Sequence, residues 1–317
     1  MNPLGEEGLA GRLLSGDRRA LARVISKIER EDPEAKEMIA EIYPHTGRAV
    51  TIGFTGPPGV GKSSLIARLI KLYRAEEKKV GVVSVDPSSP FSKGAILGDR
   101  IRLSEHFLDP GVFIRSMGSR GHLGGLAGGS RLAALAMEAC GMDVIIYETV
   151  GVGQGEVEVA SAADTVVLAL QPGAGDAVQA LKAGVMEIAD VFCINKADHP
   201  QAKNARIEVR QMLEIGHELE PEEPWFPPII LTRGDTGEGV EELKEAIASH
   251  RAYLEESGRL KERRRAALRD FVISWATARL EREMRERLRC EDDDLLEEVY
   301  NRTLDPISAS ERIYRSV

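Results

Sequence analysis

The sequence predicts an α/β protein with a mainly parallel central sheet flanked by helices. Seven short apolar runs alternate with helical stretches along the middle of the chain, and such alternation favours parallel strands. Each run is hydrophobic at successive positions, as expected for strands that are covered on both faces. The runs are 49–54, 80–85, 112–114, 144–147, 165–170, 191–194 and 229–231.

Residues 1–44 are predicted to form an N-terminal helical segment. Asp17 is a suitable N-cap, and the apolar residues from Leu21 to Ile28 recur at helical spacing. Asp32 and Pro33 begin a second helix in the same way. Because apolar helix faces must be covered, we expect both helices to pack on the domain that follows.

Residues 251–317 carry no strand signal and are predicted to be a C-terminal helical arm. A long charged helix, "RLKERRRAALRDFVISWATARLEREMRERLR", comes first, and two shorter helices follow at about 294–303 and 307–315. From the residues alone the arm is equally well a cover for the sheet or a dimerisation element. The predicted division is therefore 1–44, 45–250 and 251–317.

Composition excludes several classes of protein. The chain of 317 residues has a formal net charge of −9, whereas a general nucleic-acid binder needs a basic surface. No apolar run approaches the length of about 20 residues that spans a membrane, and the N-terminus does not resemble a secretory signal. Three dispersed cysteines give no disulfide framework. We expect a cytoplasmic protein with no nucleic-acid or membrane partner.

The stretch "GFTGPPGVGKSSLIARLI" contains the phosphate-binding pattern G-x-x-x-x-G-K-[ST] between a strand and an amphipathic helix. Its glycines let backbone N–H groups converge on phosphate oxygens, and the helix N-terminus favours the same negative charge. Lys62 is expected on the β- and γ-phosphates and Ser63 on Mg²⁺. The predicted nucleotide-binding residues of this loop are Gly56, Pro57, Pro58, Gly59, Val60, Gly61, Lys62, Ser63 and Ser64.

A second motif, "NKAD", follows the strand at 191–194 and predicts guanine as the base. The carboxylate of Asp198 can accept hydrogen bonds from both N1–H and the 2-amino group of guanine, whereas adenine offers neither. Asn195 can bridge the phosphate loop and the base, and the stem of Lys196 can lie against the ring. Thr232 and Arg233, one strand later, are expected in the loop behind the base. The nucleotide is therefore predicted to be GTP or GDP with Mg²⁺.

Three carboxylates are candidates for the metal site together with Ser63. Asp86 and Glu148 end strands, and Asp99 lies in the loop between them. Strand-end carboxylates beside a phosphate loop commonly hold Mg²⁺ directly or through water. Asp86 is also explained as a cap before Pro87, and Asp99 as a surface charge. The catalytic candidates are Lys62, Asp99 and Glu148.

Gly151 is positioned to donate its N–H to the γ-phosphate, so residues 148–151 are expected to report hydrolysis. Val152 follows this glycine, where a water-positioning Gln is missing, and Gln154 lies two residues further on. We therefore expect slow intrinsic hydrolysis that a partner or dimerisation stimulates. The residues leave open whether Gln154 takes part in chemistry.

Several motifs together resemble the MeaB/ArgK-like GTPases, the group that includes the methylmalonic aciduria type A protein. They are "GFTGPPGVGKSSL", "VDPSSPFSKGAILGDRIRL", "SRGHLGGLA", "YETVGVGQGE", "QPGAGDAVQALKAGVMEIADVFCINKAD" and "LDPISASERI". The resemblance covers nearly the whole chain. It implies a P-loop GTPase domain and a homodimer joined through the arm. It also implies a chaperone for an adenosylcobalamin-dependent acyl-CoA mutase, chiefly methylmalonyl-CoA mutase.

The same resemblance implies roles for individual residues. Asp86, Asp99 and Glu148 would surround the metal, and "GAGDAVQALK" would be a mobile loop that relays the nucleotide state to the mutase. In that loop the resemblance points to Asp176, Gln179 and Lys182. From the residues alone this segment is the start of a helix, with Lys182 a solvated charge.

Two other functions are less consistent with the same residues. A metallochaperone GTPase needs clustered Cys or His ligands, and the chain has neither a Cys pair nor a His-rich tract. A small-molecule kinase would leave the N-K-x-D motif and the loop at 148–151 unexplained. The sequence therefore favours a regulatory GTPase.

Overall fold

The computed structural model describes residues 8–86, 103–118, 125–149, 162–173, 186–219, 225–290 and 293–316. Seven strands in these ranges form one sheet in the order β3-β2-β4-β1-β5-β6-β7, and every neighbouring pair is parallel. The predicted fold class and all seven predicted strands are confirmed. The strands are β1 (Val50–Thr55), β2 (Val80–Asp86), β3 (Val112–Gly118), β4 (Val144–Thr149), β5 (Thr165–Leu170), β6 (Val191–Ile194) and β7 (Ile229–Leu231).

Helices pack against the sheet and continue beyond it at both ends of the chain. The α-helices of the described ranges are α1 (Leu9–Leu14), α2 (Arg18–Glu29), α3 (Pro33–Ile42), α4 (Lys62–Ala75), α5 (Gly125–Ala139), α6 (Ala202–Leu219), α7 (Val240–Glu256), α8 (Arg259–Cys290), α9 (Asp293–Tyr300) and α10 (Pro306–Ser316). Among the described residues, no helix is long and apolar enough to cross a membrane.

The N-terminal helices form where the capping residues predict them. The side chain of Asp17 accepts hydrogen bonds from two backbone N–H groups at the start of α2, and Asp32 accepts one at the start of α3. Leu21 and Ile25 of α2 are fully buried in one hydrophobic cluster with α5 and with Ile145 of β4. Each such side chain contributes about 2 kcal/mol by leaving water. The helices therefore cover part of one face of the sheet, as predicted.

The opposite face of the sheet packs on α4 and α7. Phe54 of β1, Leu65 of α4 and Leu243 of α7 are all completely buried in this second cluster. A third, smaller cluster joins β5 and β6 to α6. The helix that follows the phosphate loop is therefore fixed on the sheet along its apolar side.

The long helix α8 leaves the sheet at the amino ends of the strands. Arg263 donates two hydrogen bonds, of 2.8 and 2.7 Å, to the carboxylate of Asp190, the residue before β6. Further along α8, Phe271 and Trp275 pack against the cluster that contains α2. The preceding helix α7 continues to Glu256, across the predicted boundary at 250/251. The division into three segments stays a prediction.

Candidate functional site

The carboxyl ends of the parallel strands bring the predicted site residues to one edge of the sheet. The phosphate loop follows β1, Glu148 lies near the end of β4, and Asn195 follows β6. The chain order reverses around β1, which lies between β4 and β5. Ligands of open α/β sheets bind at such a point, beyond the carboxyl ends of the strands.

The phosphate loop depends on glycine at two positions. Gly56 has φ 143°, and a Cβ there would collide with the backbone oxygen of Ala169 in β5. Gly61 has φ 98° and is the N-cap of α4. A Cβ on Gly61 would collide with the side-chain amide of Asn195. The loop therefore passes close to both the neighbouring strand and the N-K-x-D motif.

Lys62 opens α4 and is 6% exposed. Its Nζ donates to the carbonyl oxygens of Gly56 (2.6 Å) and Pro57 (3.0 Å). The ammonium group is thus held over the loop at the positive end of a 14-residue helix. This combination of a fixed cation and a helix N-terminus favours binding of phosphate groups.

Glu148 connects the phosphate loop to the sheet. Its carboxylate accepts a hydrogen bond from the hydroxyl of Ser63 on one oxygen, and from Ser84 of β2 at 2.9 Å on the other. All three side chains are buried, with 3% of Glu148 exposed. β4 pairs with β1 and β2, which places Glu148 opposite both Phe54 and Ser84.

The pairing of Ser63 with Glu148 fits a magnesium site. Both supply hard oxygen donors, and Mg²⁺ in nucleotide sites is bound through one or two carboxylates together with phosphates and waters. No group of three or more His, Cys, Asp or Glu residues within the described ranges is arranged to hold a metal ion. A site of the nucleotide type does not require one, since the phosphates complete its donor set.

Asn195, in the loop after β6, connects this loop to the phosphate loop and to the loop after β7. It is 3% exposed, and its Nδ2 donates to the carbonyl of Val60 at 2.8 Å. Its Oδ1 accepts from the backbone N–H of Gly234 at 2.9 Å and from the hydroxyl of Thr232 at 3.4 Å. Asn195 therefore ties the phosphate loop to the loop after β7.

Lys196 and Asp198 lie on the exposed side of the same motif. Lys196 has φ 60°, and its Nζ donates to the carbonyl of Gly59 (3.2 Å) and to the side chain of Gln171 (2.5 Å). The carboxylate of Asp198 is 59% exposed and lies 3.6 Å from Nε of Arg233. The carboxylate of Asp198, which is predicted to bind guanine, is thus accessible from solvent and lies beside the positive charge of Arg233.

Thr232 is fully buried, whereas the neighbouring Arg233 is partly exposed. Its hydroxyl lies 3.0 Å from Sγ of Cys193. Burial raises the pKa of the Cys193 thiol to about 12. Thr232 thus supports Asn195 from below, while Arg233 pairs with Asp198. Cys193 is a buried core residue, as predicted.

The structure brings together most, but not all, of the predicted site residues. Pro57 and Val60 are buried in the phosphate loop, whereas Pro58, Gly59 and Ser64 are exposed along it. Asp86 is the last residue of β2, but its side chain lies outside what the structure describes. Residues outside the described ranges are Asp99, Gly151, Gln154, Asp176, Gln179 and Lys182.

Three polar residues at the site were missed by the sequence reasoning. Ser84 interrupts the apolar strand "VGVVSVD" two residues before its end, which was a usable signal. Gln171 follows β5 directly. Arg68 of α4 donates to the backbone oxygens of Gly234 (3.4 Å) and Asp235. No local pattern marks Arg68, because its partners lie more than 160 residues away along the chain.

Comparisons with known proteins agree with this geometry. The family described as "Methylmalonyl Co-A mutase-associated GTPase MeaB" matches residues 21–289. A protein of Pyrococcus horikoshii that is named as a GTPase is 48% identical over 317 residues, which covers 100% of this chain and 99% of the relative. GTPase ArgK of Escherichia coli is 36% identical over 299 residues, covering 92% and 88% of the two chains.

A more distant relative and one solved structure extend the comparison. The methylmalonic aciduria type A homolog of Caenorhabditis elegans is 32% identical over 276 residues, covering 82% of this chain and 69% of the relative. The crystal structure of an LAO/AO transport system kinase has a TM-score of 0.71 at 28% identity, covering 99% of both chains. The family model matches most of the length of the chain, and the fold is that of a P-loop GTPase. This chain therefore belongs to the MeaB family of methylmalonyl-CoA mutase-associated GTPases.

Proposed function

We propose that this protein binds and hydrolyses GTP in order to act as a chaperone of an adenosylcobalamin-dependent acyl-CoA mutase. The observation that carries the proposal is the convergence of Lys62, the pair Ser63 and Glu148, and the motif from Asn195 to Asp198 on one edge of the sheet. These groups suit the phosphates, the metal and the base of a single nucleotide.

On the phosphate side, the chain supplies fixed positive charge and backbone donors. Lys62 would turn from the carbonyl oxygens of Gly56 and Pro57 to phosphate oxygens over a short distance, because it already lies across the loop. Ser63 and Glu148 would hold Mg²⁺, with Asp86 and Asp99 proposed as further carboxylates around it. When bound, Mg²⁺ would neutralise negative charge on the phosphate oxygens.

On the base side, Asp198 would accept the N1–H and 2-amino hydrogen bonds of guanine. Asn195 holds this loop against the phosphate loop through Val60. Lys196 is already oriented along the exposed side by its bonds to Gly59 and Gln171. We infer that the guanine plane lies beside the stem of Lys196, near Arg233.

We propose that hydrolysis is slow in the isolated protein and is stimulated by the partner. The sequence carries Val152 after Gly151, where a water-positioning Gln would be expected. Steady-state phosphate release should therefore be measured with and without purified methylmalonyl-CoA mutase. A high rate without partner, unchanged by the mutase, would contradict this proposal.

The mutase is proposed as the partner on two grounds, which are the description of the family and the name of the Caenorhabditis elegans relative. The direct test is a pull-down of methylmalonyl-CoA mutase with the protein loaded with GDP or with a non-hydrolysable GTP analogue. We expect the amount of mutase captured to depend on the nucleotide. Two outcomes would exclude the chaperone role. One is that the same amount of mutase is captured with GDP, with the GTP analogue and without nucleotide. The other is that no acyl-CoA mutase is captured at all.

We further propose that Asp176, Gln179 and Lys182 relay the nucleotide state to the mutase, as the family resemblance implies. Lys182→Ala should keep the affinity for GTP and lose the stimulation by mutase. The informative measurement is therefore the ratio of rates with and without mutase. A stimulation ratio that stays at the wild-type value would remove Lys182 from this role.

A homodimer through the C-terminal helices is proposed from their uncovered apolar side chains. Val272, Tyr300, Ile307 and Tyr314 are between 63 and 82% exposed in the single chain. Burial of such side chains drives association. Light scattering should give a mass of twice 34.6 kDa, and Tyr300→Glu should lower it. We place this assembly in the cytoplasm, as its few dispersed cysteines suggest.

A further inference from the structure

We propose that Ser84 is a positioning residue for the magnesium site, which it serves by holding the carboxylate of Glu148 in place. The inference rests on the proposed function, because it concerns the metal that would accompany GTP or GDP. Neither the strand-end carboxylates nor the phosphate-loop motif requires a serine at this position of β2.

The contact is direct and buried. Ser84 Oγ lies 2.9 Å from Oε2 of Glu148, and the two side chains are 4% and 3% exposed. The two residues are opposite each other in the pairing of β2 with β4. The backbone register of the sheet thus sets their separation, so the contact does not depend on a loop conformation.

The direction of the hydrogen bond follows from the chemistry of the groups. An ionised carboxylate only accepts, so the Ser84 hydroxyl donates its proton to Oε2. Ser63 donates to Oε1 of the same carboxylate. Each oxygen of Glu148 is therefore tied to a different element, one to β2 and the other to α4.

This arrangement offsets the greater side-chain freedom of a glutamate compared with an aspartate. Glutamate has one more rotatable bond than aspartate. Fixing that bond when the carboxylate binds a metal costs conformational entropy. The Ser84 hydroxyl restricts the orientation of the carboxylate before any ligand arrives. Loss of a hydrogen-bond partner of this kind commonly lowers metal affinity about 10- to 100-fold.

The test measures magnesium affinity and not turnover. A fluorescent GDP analogue is bound to the full-length protein, and its dissociation rate is followed while free Mg²⁺ is varied. For Ser84→Ala we expect wild-type dissociation in excess EDTA, and a half-maximal Mg²⁺ concentration raised about 10- to 100-fold. Ser84→Thr keeps the hydroxyl and should stay within about threefold of wild type, by the same reasoning.

The matched control is Ser116→Ala. Ser116 pairs with Ser84 from the other neighbouring strand, β3, and is half-buried. Its loss should leave the Mg²⁺ midpoint unchanged. If Ser84→Ala also leaves the midpoint unchanged, Ser84 has no positioning role. If the wild-type complex itself shows no Mg²⁺ dependence, the proposed magnesium site at Ser63 and Glu148 fails, and the inference fails with it.

A double variant separates an effect through Glu148 from a general disturbance of the strand. In the Glu148→Gln background, Ser84→Ala should change the midpoint by less than a factor of about three, since residues that act through one another are not additive. A full further loss in this background would overturn the proposal. Should Ser84→Ala fail to fold, Ser84→Cys preserves the size of the side chain, and its weaker donor should shift the midpoint in the same direction.

Discussion

Arg264 of α8 donates two hydrogen bonds, of 2.8 and 2.7 Å, to the carboxylate of Asp164, the residue before β5. The Asp164 side chain is 3% exposed. The remaining donors of Arg264 bind the backbone oxygens of Gly47 and Ala49. The preceding arginine, Arg263, pairs in the same way with Asp190, as described above. The first two turns of α8 are therefore held at the amino ends of two adjacent strands, β5 and β6.

Arg264→Ala should lower the free energy of unfolding by about 3 kcal/mol, because a buried carboxylate loses its main cationic partner. Arg251 still contacts Asp164 and limits the loss. Urea denaturation measures the change. The control is Arg265→Ala, since Arg265 is the neighbouring exposed arginine. An equal effect of both substitutions would contradict a specific role for the pair.

Gly56→Ala should be far more damaging than Gly59→Ala. Both glycines have positive φ, but only Gly56 would bring a Cβ into collision with Ala169, whereas Gly59 has open space around that position. We expect a loss of about 1 kcal/mol for Gly59→Ala from backbone strain alone, and more than about 3 kcal/mol for Gly56→Ala. Thermal unfolding of the two variants measures the difference in stability. Comparable melting temperatures would contradict the prediction.

Lys62→Ala should reduce the affinity for GTP at least about 100-fold, because a charge-assisted contact to phosphate is lost in a buried setting. Equilibrium titration with a fluorescent GTP analogue gives the dissociation constant. Lys71→Ala serves as the control, since Lys71 lies on the same helix but is 46% exposed and paired with Glu105. Wild-type affinity in Lys62→Ala would refute the assigned role.

Asp198→Asn should reduce the preference for GTP over ATP and improve binding of XTP. The amide offers a donor where the carboxylate accepted, so it suits the 2-keto group of xanthine better than the 2-amino group of guanine. We expect GTP affinity to fall about 10- to 100-fold, as for one hydrogen bond to a charged group. Competition titrations with the three nucleotides measure the preference.

The control for this substitution is Asp235→Asn. Asp235 also pairs with Arg233, at 3.1 Å, and is 69% exposed, but it lies in the loop after β7. Its nucleotide preference should match that of the wild type. If Asp198→Asn keeps the wild-type ratio of GTP to ATP affinity, Asp198 does not select the base.

Cys193 should resist alkylation in the folded protein. Burial raises the pKa of Cys193 to about 12, so its thiol stays protonated at pH 8, and the thiolate is the reactive form. Mass spectrometry after iodoacetamide treatment should show Cys193 unmodified in buffer and modified in urea. Rapid modification of the native protein would show that the strand opens far more readily than its burial implies.

The sequence was sufficient to predict elements whose signal is local. Every strand was located from its apolar run, and Asp17 and Asp32 cap the helices that their positions predict. The end of β3 was missed because Arg115 and Ser116 break the apolar pattern. Arg115 is satisfied there by Glu29 of α2, a contact between distant parts of the chain.

The placement of Lys62, Ser63 and Asn195 at one edge of the sheet was predictable, because the spacing of each motif fixes its geometry. Contacts that depend on the strand order were not. Ser84 meets Glu148 only because β2 lies beside β4, although β3 comes between them along the chain. The pairs of Asp164 and Asp190 with α8 were missed because they join residues that are 100 and 73 positions apart along the chain.

The anchoring of α8 has a mechanical consequence. β5 and β6 carry the arm at one end, through Asp164 and Asp190, and lead at the other end into Gln171 and Asn195. Each of these strands therefore joins a predicted nucleotide loop at one end to α8 at the other. The helix α8 has 32 residues and is about 48 Å long. Near its far end Arg282 donates to Glu31 at 2.9 Å, so α8 is fixed against the rest of the chain near both of its ends.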